Sequence, residues 1–171
     1  MDNGVKDVVP LYTNRFANLS ETSLSTEEQE SVVALALKVL AKRNQRGEAI
    51  TSPADTKRYL QLKIGELEHE VFGVIWLDNR HRILADEILF TGTINGASVY
   101  PREVVKRAMQ VNAAAVLLYH CHPSGDPEPS RTDEVITNRL KEALTFVEVR
   151  VLDHVIVASA DTTSFAERGL L

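Results

Sequence analysis

Four polar side chains in the segment HCHPSGDPEPSRTD have types and spacing that could hold a metal ion: His120, His122, Ser130 and Asp133. If the two histidines end an extended strand, the two-residue period of a strand points both imidazoles to one side and Cys121 to the other. Two imidazole nitrogens and one carboxylate oxygen suit tetrahedral zinc and leave its fourth position for water. The spacing therefore suggests a metal site that activates a water molecule.

The same segment also has an ordinary structural interpretation. SRTD is an S-x-x-D helix start, in which Ser130 caps the helix and Asp133 lies at its positive end. His-x-His pairs also occur on the polar faces of strands. The cap and the metal site are compatible with each other, and the spacing alone does not choose between a metal site and a polar turn.

The elements around this segment have the pattern of a three-layer α/β (α+β) domain with a mixed sheet flanked by helices. We predict helices over residues 52–64, 101–114 and 130–147, and strands over 70–78, 82–90, 114–120 and 149–159, followed by a short tail at 164–171. The strand before the histidines is continuously apolar, as a buried strand is. It delivers the histidines to the carboxyl edge of the sheet, where ligand sites of α/β proteins usually lie.

Residues 1–48 differ in pattern and are predicted to form an N-terminal arm and helix, separate from a domain at 49–171. The helix is expected from Thr26 to about Arg46, because Ser25 and Glu28 have the spacing of a capping box. Its middle is apolar on more than one face, more than a solvated helix tolerates. It either packs on its own domain or associates with a second copy in a homodimer.

Composition narrows the class of protein. The chain has 171 residues, a net charge of −5 and a single cysteine. It lacks an apolar run of the roughly 18 residues that a membrane helix needs, and its start lacks the order of a secretory signal, so we expect a cytoplasmic protein without membrane attachment. The acidic balance gives no general attraction to nucleic acid. One cysteine excludes a disulfide framework within the chain.

Several segments of the chain resemble those of a known family. The pattern H-x-H-x7-S-x2-D matches the signature of the JAMM (MPN-domain) metalloproteases. The segments HPSGDPEPSRTDEVIT, GTINGASVYPREVVKRA and LDHVIVAS are similar to the RadC-like branch, historically labelled DNA repair proteins, over roughly residues 50–171. The resemblance implies a JAMM/MPN-like (cytidine-deaminase-like) fold and a zinc ion bound by His120, His122 and Asp133.

The resemblance also implies a general acid and base. In the wider family this is a glutamate in an E-x-x-G context, and EVFG supplies Glu70 and Gly73 here. Position alone favours Glu70 as the solvated start of a strand, whereas the resemblance favours it as the base, with Glu68 as the alternative. We expect hydrolysis of an amide by a zinc-activated water, with Ser130 hydrogen-bonded to the developing oxyanion, and the resemblance favours a peptide or isopeptide bond.

Two departures from the family keep other functions open. Most RadC-like chains have asparagine where this one has Cys121, and longer members carry a helix-hairpin-helix DNA-binding region that has no matching segment here. A DNA-repair-associated factor and a non-catalytic MPN interaction module are the alternatives. The complete ligand set favours the zinc hydrolase, because non-catalytic relatives typically lose ligands.

Other polar residues have weaker cases. Asp153 and His154 lie in a predicted strand, where one of them faces the core and either orients a ligand histidine or makes structural hydrogen bonds. Ser124 follows the histidines and either donates toward an oxyanion or stabilises a turn. Arg102, after Pro101, is expected in a surface salt bridge rather than at an anion site.

Overall fold

The computed structural model describes residues 20–43, 52–92 and 98–171. After a 3-10 turn at Glu21–Ser23, the helices are α1 (Thr26–Arg43), α2 (Pro53–Ile64), α3 (Pro101–Val111) and α4 (Arg131–Thr145). The strands are β1 (Val71–Leu77), β2 (Ile83–Thr91), β3 (Ala115–Cys121), β4 (Arg150–Ala158) and β5 (Asp161–Ser164). Every described helix is too short or too polar to cross a membrane.

The five strands form one mixed sheet in the order β2-β1-β3-β4-β5. Strand β1 pairs antiparallel with both β2 and β3, while β3 and β4 run parallel and β4 and β5 close an antiparallel edge. The central strands β1 and β3 are buried along their whole length. This is the expected consequence of covering both faces of a sheet, since no position is then left for a polar alternation.

Helices cover both faces of the sheet and produce two apolar cores. Leu60 and Ile64 of α2 pack with Ile75 and Tyr119 on one face. On the other face, α3 and α4 pack on alternate residues of the same strands, among them Phe72, Val74, Trp76, Val116 and Leu118. Residues of odd and even number in β1 therefore face different cores, as the two-residue period requires. The predicted three-layer α/β architecture is confirmed.

Sequence patterns located most of these elements, and one strand was missed. Strand β5 (DTTS) is polar and short, and it forms because it pairs with Val155–Ala158 after a turn in which Ser159 adopts a φ of 52°. The residues of β5 show no apolar alternation, so the segment is a strand only because β4 pairs with it.

At the N-terminal end, the predicted capping box is confirmed. Ser25 N–H donates to Glu28 Oε2 at 2.8 Å, and Glu28 N–H donates to Ser25 Oγ at 3.3 Å. The chain forms two compact units, Met1–Leu35 and Ala36–Leu171. The predicted end of the helix near Arg46, the predicted boundary between residues 48 and 49, and the N-terminal arm before residue 20 lie outside the described residues.

Candidate metal centre

The end of β3 and the residue that follows it position the two histidines. Phe72 of β1 is the cross-strand partner of His120, and its ring lies nearly parallel to the imidazole, with centroids 6.3 Å apart. Cys121 packs in the opposite core and its thiol contacts the carbonyl of His69 at 3.5 Å. Burial is the main influence that raises the pKa of the Cys121 thiol, which therefore stays protonated. The period of the strand thus separates the thiol from the imidazoles, as predicted.

Three ligand residues converge at this point, through the two imidazole Nε2 atoms and the two carboxylate oxygens of Asp133. His120 Nε2 lies 2.9 Å from His122 Nε2 and 3.3 Å from Asp133 Oδ1, and His122 Nε2 lies 3.5 Å from Asp133 Oδ2. These separations are close to the roughly 3.3 Å between neighbouring ligand atoms around a tetrahedral zinc with bonds of about 2.05 Å. His120 and Asp133 are both buried. The structure therefore brings together the three residues that the sequence singled out as ligands.

The loop after β3 fixes the state of the His122 ring. His122 Nδ1 lies 2.8 Å from the carbonyl oxygen of Asp126. A carbonyl only accepts, so Nδ1 carries the proton and the neutral ring has a bare Nε2. Gly125 makes this return of the chain at a φ of 79°, a conformation that glycine adopts without strain. The loop thus aims an electron pair of His122 at the cluster.

The first turn of α4 holds the third ligand. Ser130 caps the helix, and both its N–H and its hydroxyl donate to Asp133 Oδ2, at 2.8 and 2.6 Å, while Asp133 N–H donates back to Ser130 Oγ at 3.2 Å. The helix cap and the ligand position therefore coexist in the same two residues. Because the single hydroxyl proton of Ser130 is already given to Asp133, Ser130 could donate to an oxyanion only by releasing that carboxylate.

The charges in the cluster favour a cation among these atoms. Burial raises the pKa of Asp133, but the close approach of the His120 and His122 rings to its carboxylate outweighs burial and holds that pKa far below its usual range. The hydrogen bond to Asp133 raises the pKa of His122 against the effect of burial, with smaller contributions from the Asp126 carbonyl and from the charges of Asp133 and Glu70. Electron pairs on nitrogen and oxygen that face one another this closely need a proton or a metal between them. The donor set fits zinc.

Glu70 and the cluster line the same cavity, of about 710 Å³. Glu70 is half-buried and immediately precedes β1, where continuing the Phe72–His120 register places it opposite His122. Its carboxylate makes no hydrogen bond or ion pair with the parts of the chain that the structure describes. Glu68 is exposed and does not line the cavity. The geometry therefore favours Glu70 over Glu68 as the general base, and its catalytic role stays a prediction.

Gly73, the last residue of the E-x-x-G pattern, has a steric reason to be glycine. It pairs with Tyr119, and a Cβ atom at Gly73 would lie 2.1 Å from Tyr119 Cζ. The Tyr119 ring crosses this position to place its hydroxyl 2.7 Å from Asp86 Oδ1 and 2.8 Å from Lys63 Nζ. Strand β1 can therefore lie this close to β3 only where it has no side chain.

Asp153 and His154, consecutive residues of β4, make different contacts. His154 is fully buried, and its Nε2 lies 2.8 Å from His120 Nδ1. Burial, reinforced by the charge of His120, lowers the pKa of His154 well below its usual value. Asp153 instead accepts from the hydroxyl of Ser164 at 2.6 Å and from the N–H of Ala166 at 2.9 Å. His154 is thus the member that touches a candidate ligand, and Asp153 fastens the C-terminal segment.

Ser124 and Arg139 also line the cavity, and only Ser124 was considered in the sequence. Ser124 lines it next to the histidines, and its oxygen accepts from the N–H of Asp126 at 3.4 Å. Arg139, six residues after Asp133 in α4, is the one Lys or Arg among the described residues that line the cavity. A separation of six residues is not one of the three, four or seven that place two side chains on one face of a helix, so the sequence pattern gave no indication of Arg139. Arg102 is exposed and 3.4 Å from Glu103, in agreement with a surface salt bridge.

Comparison with known proteins agrees with this architecture. Residues 50–170 match the family model of the RadC-like JAB domain. A UPF0758 protein of Nitrosococcus oceani is 61% identical over 127 residues, which are 74% of this chain and 57% of that protein. Two UPF0758 proteins of Vibrio cholerae are 54% and 52% identical, over 82% and 84% of this chain and 62% and 90% of their own lengths.

The chain thus spans about three fifths of the length of the first two relatives and most of the third. Domains of this kind are metal-dependent hydrolases of the JAMM type or MPN interaction modules, and the His-His-Asp group can hold a metal. The match covers more than half of the chain and includes all three candidate ligands. The chain belongs to the RadC-like JAB domain family.

Proposed function

We propose that the protein is a zinc-dependent hydrolase that cleaves a peptide or isopeptide amide bond. The observation that carries the proposal is the convergence of two imidazole nitrogens and a carboxylate in a cavity that Glu70 also lines. Three protein ligands with an open fourth position are the arrangement of a catalytic zinc site rather than of a closed structural one. The buried Cys121 thiol suits a reducing compartment such as the cytoplasm.

Each residue has a role that follows from its position. His120, His122 and Asp133 would hold the zinc, which supplies Lewis-acid activation of water and of the scissile carbonyl. Glu70 accepts the proton of the attacking water and delivers it to the leaving amine. Its lack of a partner among the described residues leaves its carboxylate available for both transfers. Phe72 restricts the His120 ring by packing against it.

Ser124 has a hydroxyl proton available for an oxyanion, whereas the proton of Ser130 is already donated. The Ser130 proton is bound to Asp133 Oδ2, and giving it up would loosen a ligand. The Ser124 oxygen accepts one hydrogen bond, and its own proton has no acceptor in the described parts of the chain. A donor aimed at a developing oxyanion contributes about 3 kcal/mol in known enzymes. We therefore assign that contact to Ser124.

The lining of the cavity indicates the kind of substrate. Phe72, Val99 and Ile136 offer apolar surface, and Arg139 places one positive charge at the wall. An arginine recognises a carboxylate through two parallel hydrogen bonds. We expect a protein or peptide substrate with a carboxylate, from an acidic side chain or a chain terminus, close to the scissile amide.

Two matched substitutions test the proposal. Glu70→Gln keeps the size of the side chain but removes the proton acceptor, so zinc content and thermal stability should be retained while hydrolysis falls by about 10² to 10⁴-fold. Asp133→Asn weakens a ligand and should lower zinc content and hydrolysis together. The measurements are elemental analysis and turnover of a panel of peptide and ubiquitin-like isopeptide substrates.

The panel also separates the alternatives. Zinc at one ion per chain without hydrolysis of any substrate would favour the MPN interaction module over the enzyme. Unchanged turnover in Glu70→Gln would remove Glu70 from the mechanism, and Glu68→Gln is then the next variant. Binding to duplex DNA that weakens steeply with salt would support the DNA-associated function. The net charge of −5 does not by itself lead us to expect such binding.

A further inference from the structure

Two buried side chains join the His120 ring to the backbone of Asp133. His154 lies between His120 and Thr137, with His154 Nε2 2.8 Å from His120 Nδ1 and His154 Nδ1 2.6 Å from Thr137 Oγ1. Thr137 Oγ1 in turn lies 2.5 Å from the carbonyl oxygen of Asp133. His120, His154 and Thr137 are at most 1% exposed, so these groups have to satisfy one another without bulk water.

The positions of the protons in this series of hydrogen bonds can be assigned by starting from the Asp133 carbonyl. The Asp133 carbonyl only accepts, so the single hydroxyl proton of Thr137 is given to it. Thr137 Oγ1 must then accept from His154 Nδ1–H, which leaves Nε2 of a neutral His154 bare. That nitrogen accepts from His120 Nδ1–H. The consequence is a bare Nε2 on a neutral His120, the atom that faces His122 and Asp133.

The opposite direction is unfavourable at two points. If His154 donated through Nε2 and were neutral, its Nδ1 would take the Thr137 proton, and two oxygens would face each other at 2.5 Å with no proton between them. If His154 carried both protons, a cation would be fully buried with no carboxylate bonded to its ring, since its ring partners are His120 and Thr137. The rings of Phe72 and Phe165, with centroids 5.5 and 4.8 Å from that of His154, offer no counter-charge.

We propose that Thr137 and His154 are positioning residues that hold His120 in the tautomer with a bare Nε2 and tie its ring to the helix turn that carries Asp133. The proposal rests on the proposed function and its metal site. The hydrogen bonds through His154 and Thr137 would hold two ligands of that site, His120 and Asp133, in one arrangement relative to each other. Most metal-binding histidines donate to a carboxylate, a carbonyl or a water. Here His120 donates to an uncharged histidine, His154. His154 donates to Thr137, and Thr137 donates to the backbone carbonyl of Asp133.

The first arm of the test is nuclear magnetic resonance of the metal-free wild-type chain with ¹⁵N-labelled histidine. Couplings between ring nitrogens and carbon-bound protons distinguish the two tautomers. We expect a protonated Nδ1 on His120, and a protonated Nδ1 with a bare Nε2 on His154. A His120 ring with a bare Nδ1, or a His154 ring protonated on Nε2, would overturn the proposal. This arm needs no substitution, so it gives a result even if a variant does not fold.

The second arm measures zinc affinity by chelator competition. Thr137→Val removes the hydroxyl and should weaken zinc binding by about 10 to 100-fold, while Thr137→Ser keeps the hydroxyl and should remain within about threefold of the wild type. Thr145→Val is the matched control, because Thr145 also donates to the carbonyl four residues earlier in α4, at 2.7 Å, but is exposed. Equal affinity of the Val and Ser variants at 137 would overturn the proposal.

Cobalt substitution adds a readout that a purely structural role would not change. The visible absorption of Co²⁺ reports ligand geometry, so Thr137→Val should shift the spectrum and Thr145→Val should not. An unshifted spectrum in Thr137→Val would contradict the proposed role. A wild-type chain that binds no zinc at all would refute the proposed function, whereas the tautomer measurement would still test the hydrogen-bond chain on its own.

Discussion

Replacing Gly73 by alanine should destabilise the sheet beside the candidate metal centre. The added Cβ would lie 2.1 Å from Tyr119 Cζ, and ordinary contact begins at 3.4 Å, so the ring must move by about 1.3 Å. The ring is fully buried and its hydroxyl is held by Asp86 and Lys63. It therefore cannot move without breaking those hydrogen bonds or pushing β1 away from β3.

The magnitude follows from these two costs. Overpacking in a core costs about 1 to 3 kcal/mol. Loss of a hydrogen bond to a charged group costs about 1.5 to 3 kcal/mol. The upper limits of the two costs together give about 6 kcal/mol, and moving the ring relieves part of the overpacking as it breaks the hydrogen bonds. We therefore expect a total of about 3 to 5 kcal/mol, a large part of the roughly 5 to 15 kcal/mol that stabilises a domain. Urea unfolding monitored by the single, buried Trp76 measures it.

A double-mutant cycle with Tyr119→Leu isolates the clash. Leucine lacks the ring atoms that meet the new Cβ, so Gly73→Ala should cost less than about 1 kcal/mol in that background, and the two positions should couple by at least about 2 kcal/mol. If Gly73→Ala cost the same in both backgrounds, or under about 1 kcal/mol in the wild type, the steric account of the E-x-x-G glycine would be refuted.

Three further outcomes are expected. His122→Ala should reduce zinc from about one ion per chain to a small fraction, and an unchanged zinc content by elemental analysis would remove His122 from the ligand set. Arg139→Gln should lower kcat/KM for peptides with a carboxylate near the scissile bond by roughly 3 to 10-fold, with little effect on neutral peptides or from Arg131→Gln outside the cavity; equal losses on both peptide classes would contradict carboxylate recognition. Removing residues 1–48 should change the mass measured by light scattering or lower solubility, because α1 is apolar on more than one face; no change in either would count against a docking role for α1.

The sequence alone determined the features that depend on local periodicity. A strand repeats every two residues, so His120 and His122 had to share a face and Cys121 had to lie on the other. The pairing of Ser130 with Asp133 follows from the geometry of a helix start, which is the same wherever the helix lies. The three layers followed from the alternation of helical and extended patterns, since each element must bury its apolar face.

Only the tertiary structure decided the contacts between distant segments. His154 reaches His120 because β4 lies directly beside β3, and no local pattern specifies that neighbour. Tyr119 explains Gly73 for the same reason, since the ring belongs to a different strand. Strand β5 exists only through its partner. Such contacts depend on which strands are adjacent in the sheet, and strand order is set by the packing of the whole core rather than by the residues of one segment.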